Sequence, residues 1–408
     1  MSKSADKTFD HSFILKNHFI AKQDFAPSPA PDALKLIQLQ IIHRHGPRTP
    51  LNYRLPQFYS FNWPLCSKKK QISEINTIIT TGDESLLTLK SPLHSMPEIN
   101  DSCLLGQLTD LGRHVMEQLG ESLRKHYLSN GRLILKDISQ IYIRSTNYPR
   151  TIESAYHLLR GLLPQHSPPP INIRDEYLED MYGSIRCNKY ARLLKDFEER
   201  YQEEVATEVL KLKESLPHIF QLPDLYGHPH TPYGVYDTIS SRLAHRLSLP
   251  SCINASVYQK LSDLSYREWF SIFFESPDVI RLGIGRFIGE LHENLTKTTD
   301  KKLCIYSAHD SSIMPLLAAF SQDTNAESKI QKELRIFPPY GSHIIIEQYE
   351  QPNQEHFVRI LFNGEPVILP ACLSKADNYQ GDPSLCHLNT FSAAMKRFIP
   401  TDYLGECQ

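Results

Sequence analysis

Three short stretches of the chain carry residue types suited to phosphoryl transfer. In "IIHRHGPRTP", residues 41–50, His43, Arg44, His45 and Arg48 crowd into six positions where an apolar run ends. A neutral imidazole at His45 is a good nucleophile toward phosphorus. Arg44 and Arg48 beside it suit the equatorial oxygens of a phosphoryl group, which a guanidinium grips with paired hydrogen bonds. The same two charges lower the pKa of His45 by like-charge repulsion and keep it unprotonated, provided a backbone carbonyl holds the other ring nitrogen as donor. Gly46 allows the tight backbone this needs. Taken alone, the decapeptide is as readily a solvated basic turn. His43 and His45, at i and i+2 on an extended segment, also invite a divalent metal. The flanking arginines repel a cation, so no metal is expected and His43 is assigned to packing or support.

The second stretch is "IYIRSTNYPRT". Arg144 stands at a strand end before a helix N-terminus, where a phosphate oxygen is also favoured by the helix dipole. It is taken as a phosphate clamp, whereas Arg150, inside the helix, is expected to form a structural ion pair. In the third stretch, "SAHDSS", His309 can donate to a phosphate oxygen and Asp310 can protonate a departing one. Nucleophile, clamp and acid together are what phosphoryl transfer requires.

These groups need elements that bring them together. "LKLIQLQII" (34–42), "ISQIYIRST" up to Arg144 and the run from about Leu303 to Ser307 have the length and Leu/Ile content of buried strands. Each delivers polar residues at its carboxyl end ahead of a helix. One such helix has Pro149 near its first turn. Another has Leu111, Val115, Leu119, Leu123 and Tyr127 on one face behind a Thr109 cap. The pattern predicts an α/β fold, a three-layer sandwich with a central mixed, mainly parallel sheet and a site outside the strand ends. Residues 34–165 and 296–408 are assigned to this core, 166–295 to an inserted, mostly helical cap, and 1–33, with the Pro-rich "FAPSPAPDA", to a flexible arm. "SHIIIEQYE" and "HFVRILFNGEPVIL" read as antiparallel strands with an Asn363-Gly364 hairpin turn. "GIGRFIG" (283–289) lacks dinucleotide spacing and is read as cap helix.

With 44 basic and 46 acidic side chains in 408 residues and an isoelectric point near 6.8, nothing global draws the chain to nucleic acid or anionic membrane. No transmembrane segment is expected. The N-terminal stretch, interrupted by Asp6, Asp10 and Asp24, does not read as a secretory signal. The eight cysteines are scattered, only Cys372 and Cys386 bracketing a short loop, and are expected to be reduced thiols of an intracellular, most simply cytoplasmic, protein.

Arg44, His45, Gly46, Arg48 and Pro50 spell RHGxRxP, followed by "RST" from Arg144 and by His309-Asp310. This pattern resembles the histidine acid phosphatases, branch 2 of the histidine phosphatase superfamily, over residues from about 34 to the C-terminus. The resemblance implies a two-step, metal-independent reaction without cofactor, through a phosphohistidine at His45. Arg44, Arg48, Arg144 and His309 would hold the phosphoryl oxygens and Asp310 would protonate the leaving alcohol of a small-molecule phosphomonoester. Asn147, where many members have Asp, and His43, where an apolar or aromatic residue is common, depart from the pattern. "GQLTDLG", "ESLRKHY", "RSTNYPRTIES" and "AHRLSLPSC" resemble lysophosphatidate-hydrolysing members, which implies a lysophospholipid substrate and a mitochondrial alternative for location. A phospho-ligand binding protein on the same fold is the competing class, but a binder has no use for a general acid at Asp310.

Overall fold

The computed structural model of the 408-residue chain describes residues 19–51 except 26 and 28, 65–66, 75–80, 98–99, 103–221 except 185, 231–322 and 337–408. Most of the polar stretch 51–105 and part of "LPDLYGHPHTPYG" lie outside the described residues.

The strands are β1 (Lys35–Arg44), β2 (Thr77–Thr80), β3 (Glu98–Ile99), β4 (Cys103–Leu104), β5 (Ile141–Ser145), β6 (Ile171–Arg174), β7 (Leu303–Ala308), β8 (His343–Glu350), β9 (His356–Phe362), β10 (Glu365–Pro366), β11 (Asn378–Tyr379) and β12 (Asp382–His387). Ten form one sheet in the order β11-β12-β9-β8-β1-β7-β5-β6-β2, with β10 on β9, while β3 and β4 pair apart. The sheet is mixed, as expected, but it divides at β1: β7, β5, β6 and β2 run parallel, and everything from β8 outward is antiparallel. Parallel pairing therefore covers half of it, not most. The Asn363-Gly364 turn joins β9 to β10, with both residues at positive φ (50° and 91°), as a two-residue hairpin loop requires.

Helices α1 (Asp110–Leu123), α2 (Pro149–Leu162), α3 (Asn188–Ser215), α4 (Pro232–Ala244), α5 (Ala255–Glu275), α6 (Pro277–Thr296), α7 (Asp310–Ser321) and α8 (Leu388–Lys396) complete the frame. Side chains alternate across a strand. Leu39 and Ile41 of β1, Ile143 of β5 and Ile305 of β7 accordingly pack on one face with Leu119 of α1 and Leu158 of α2. Ile42, Cys304 and Tyr306 meet Ile288 of α6 and Leu316 of α7 on the other. Both faces of the strands are covered, which is why apolar residues occupy both faces of each; each such side chain contributes about 1.5–3 kcal/mol when fully buried.

Two expected boundaries move. β6 lies in the sheet between β5 and β2, and α6 is bound to it where Gln40 donates to Leu291 O (3.0 Å) and Asn294 donates to the Tyr306 hydroxyl (2.8 Å). Helices α3, α4 and α5 make up the rest of the segment expected as cap, and their buried residues Tyr201, Ile239 and Leu261 continue the core on that face of the sheet. The described part of the N-terminal arm is docked: Ala21 N donates to Tyr340 O (2.9 Å), and Phe25 is buried against His343.

The expectation of reduced thiols is corrected. Cys66–Cys103, Cys187–Cys407 and Cys372–Cys386 are disulfides, and among the described residues Cys252 and Cys304 are free. Wide separations in the chain hid the first two pairs, since folding alone brings residues 220 apart together.

Candidate active site

Sheet register assembles the site. In β1, β7 and β5 the last paired residues stand abreast, Arg44 beside Ala308 and Ser145 beside Ser307. The ladder runs one step further, with His45 N donating to Ala308 O (3.0 Å) and Thr146 N to Ser307 O (3.1 Å). His45, Thr146 and His309 therefore leave adjacent strand ends together. His309 is the N-cap residue of α7, whose first residue is Asp310.

The loop after His45 is held from both sides. Gly46 N donates to Ser154 Oγ of α2 (3.1 Å). On the other side a Cβ at Gly46 would lie 2.6 Å from the carbonyl oxygen of Gly112 in α1, so glycine is needed here for close approach and not for a left-handed backbone. Thr109 caps α1 by accepting from Gly112 N (3.2 Å), and its hydroxyl bonds Pro47 O (3.1 Å).

His45 is buried and its Nδ1 lies 2.9 Å from Gly46 O. A carbonyl only accepts, so the proton sits on Nδ1 and the lone pair on Nε2. Burial pushes the pKa well below the usual histidine value, and the charges of Arg150, Arg44 and Arg48, in that order, push it the same way. The His309 ring meets it edge-on, with centroids 5.7 Å apart, and is kept neutral by burial and the same arginines. Nε2 of His309 bonds the Thr146 hydroxyl (2.9 Å).

The arginines differ in what holds them. Arg44 pairs with Asp310 (2.8 Å) and donates to Pro338 O, its guanidinium lying over the Tyr340 ring at 4.4 Å. Arg48 pairs with Asp237 of α4 (2.8 Å), which ties the cap to the site. Arg144 is not brought into the cage. It lies within β5, with its side chain directed to the α6 face, and is bound by Glu179 (2.7 Å), Asp180 and Glu290 (2.6 Å). A guanidinium surrounded by three carboxylates repels phosphate, so its assignment as a clamp is withdrawn.

Arg150 takes the place expected for Arg144. Side chains in a helix tilt toward its N-terminus, and from the first turn of α2 Arg150 reaches back over the strand ends. Its Nε and Nη1 are buried without a hydrogen-bond partner among the described residues. Its guanidinium lies 4.6 Å from the Tyr148 ring centre, and burial, followed by repulsion from Arg48, draws its pKa down to about 10. A buried, unpartnered guanidinium is costly unless an anion completes it. The available signal was position: Arg150 directly follows the Pro149 that starts the helix, whereas Arg144 precedes the strand end by a residue.

His43 stands opposite His343 across β1 and β8. Burial pushes both rings down to about 4. Among the described residues no group of three or more His, Cys, Asp or Glu side chains is placed to hold a metal ion, and no helix is long and apolar enough to cross a membrane.

The chain matches the family model of the histidine phosphatase superfamily (branch 2) over residues 35–216 and 187–363. Counting factor 60 of Dictyostelium discoideum is 26% identical over 407 residues, spanning 94% of this chain and 91% of that protein. Human lysosomal acid phosphatase is 29% identical over 334 residues, spanning 74% of this chain and 72% of its own length. A probable acid phosphatase of Schizosaccharomyces pombe is 24% identical, spanning 93% and 95%. Among solved structures, the phytase from D. castellii superposes with a TM-score of 0.60 at 18% identity, covering 97% of this chain and 86% of that one.

Proposed function

Because this chain belongs to the histidine phosphatase superfamily, branch 2, we propose that the cage around His45 works by two displacements at phosphorus. The protein is an acid phosphatase, a hydrolase of phosphate monoesters. In the first step Nε2 of His45 forms a bond to phosphorus while the ester P–O bond breaks. The bonding pair leaves on the alcohol oxygen, which takes a proton from Asp310. In the second, water attacks phosphorus while giving a proton to the Asp310 carboxylate, the P–N bond breaks with its electron pair returning to Nε2, and inorganic phosphate departs, leaving His45 neutral and Asp310 protonated again. Arg44, Arg48 and Arg150 face the phosphoryl oxygens, whose charge spreads in the transition state. A neutral His309 can donate from Nδ1 if the Thr146 hydroxyl donates to its Nε2.

One observation carries this reading: His45 is a buried imidazole with its proton fixed on Nδ1 by Gly46 O and its charged form disfavoured by burial and three arginines. An acid medium therefore leaves the nucleophile unprotonated. Rapid-quench trapping with a radiolabelled monoester should give phosphoprotein with the native chain and none with His45→Ala. Undiminished turnover in that variant refutes the scheme, and tight binding without turnover in the native chain favours a phospho-ligand binder.

Lysophosphatidate is the substrate we propose within this class, supported by the segments that resemble lysophosphatidic acid phosphatase type 6. For location we propose an oxidising compartment in place of the cytoplasm first expected, because structural disulfides persist under such conditions. Thiol alkylation of the protein taken from its source, with and without reductant, should reveal six protected cysteines of eight.

A further inference from the structure

If Asp310 protonates the leaving oxygen, the leaving group must depart on the Asp310 side of the cage. Tyr233 lies one turn of α4 before Asp237 and one ring away from Arg44, the partner of Asp310. Rings continue outward from it. Tyr233 stacks on Phe337 at 6.2 Å, and Phe337 in turn lies 5.6 Å from the Arg44 guanidinium. On its far side Tyr233 meets Trp269 of α5, with ring centroids 4.7 Å apart. The wall is backed by Phe270 and Tyr236, each 4.9 Å from Phe337. Trp269 remains 44% exposed. A single exposed ring is ordinary, but this one ends an unbroken aromatic path from the phosphate cage.

Charge in the cage points the same way. Arg44 and Arg48 are each matched by a carboxylate, Asp310 and Asp237, while Arg150 keeps two guanidinium nitrogens unpartnered among the described residues. With Asp310 carrying the proton it gives to the leaving oxygen, three guanidiniums stand against one carboxylate, Asp237, and leave two positive charges to meet a single phosphate dianion. A second phosphate on the leaving group would meet rings.

We propose that Tyr233, Phe337 and Trp269 form the leaving-group subsite, that it selects esters carrying a single phosphate on an apolar leaving group, and that Trp269 is its specificity-determining contact. This rests on the phosphatase reading of the site. A hydrocarbon chain or aryl ring lies along the wall and covers the exposed indole face, whereas a short polyol leaving group does not reach it.

The test is steady-state kinetics of the native chain, Trp269→Ala and Trp269→Phe on 1-naphthyl phosphate, lysophosphatidate, glycerol 2-phosphate and myo-inositol hexakisphosphate. Trp269→Ala should raise KM for the two apolar esters by about four- to tenfold, the scale of one lost aromatic contact, with kcat nearly constant. KM for glycerol 2-phosphate should hold within about twofold, and Trp269→Phe should recover most of the loss. An equal loss on glycerol 2-phosphate, no change on the apolar esters, or a native preference for the hexakisphosphate overturns the proposal. A native chain that turns over none of the four overturns the phosphatase reading instead.

Discussion

At the scale of single residues, the two arginines of "RSTNYPRT" separate by what surrounds them. Arg150→Ala should lower kcat/KM by about two to three orders of magnitude, the usual loss of a preorganised donor. It should leave the melting temperature unchanged or higher, since it removes a buried group lacking partners. Arg144→Ala should do the reverse: it leaves the buried Glu179 without its counter-charge and Asp180 and Glu290 with Arg174 alone, and should cost about 3 kcal/mol of stability, with little effect on KM in the protein that remains folded. Thermal unfolding and kinetics on the same two variants check both. His45, Arg44, Arg48, His309 and Asp310 were legible as a set from residue type and order. The Arg144/Arg150 choice was not, because it turns on which carboxylates, 35 to 146 residues away, fold against each guanidinium.

At the scale of elements, the nucleophile is placed by a strand end pinned between two helices. Gly46→Ala puts a methyl group against the α1 backbone at Gly112, and neither main chain can yield without moving His45. Overpacking of this kind costs about 1–3 kcal/mol. The expected result is a fall in kcat larger than the change in KM, because Arg150, outside the loop on α2, keeps its place. Denaturant unfolding alongside kinetics decides whether position or only stability is lost. The strand-turn-helix order, the Thr109 cap, the Pro149 start and the Asn363-Gly364 hairpin were readable because each follows from local backbone chemistry. The boundaries of the cap were not. β6 is a four-residue strand, too short for its alternation to stand out, and α6 differs from a cap helix only in what it packs against.

At the scale of the whole molecule, four neutral imidazoles in the core couple the fold to pH. His43 and His343 drop from an ordinary value near 6.5 to about 4 on folding, and His45 and His309 move the same way. Between those values the unfolded chain binds more protons than the native one, so stability is full above pH 6.5 and is lost as pH falls toward 4. Each ring at about 4 accounts for roughly 3 kcal/mol of that loss. Melting temperatures should therefore decline across this window, and His343→Gln should make the decline shallower. Three disulfides act against it by restricting the unfolded chain, most of all Cys187–Cys407, which closes the longest loop. By itself the sequence determined the reaction chemistry and the α/β class, because a motif's residue types and the period of a strand or helix are local properties. Only the tertiary structure decided which arginine is caged by carboxylates, which cysteines pair and which rings stand beside Arg44. Each of these depends on groups far apart in the chain meeting across a shared core, and charge and burial at that meeting are set by the partner, not by the residue.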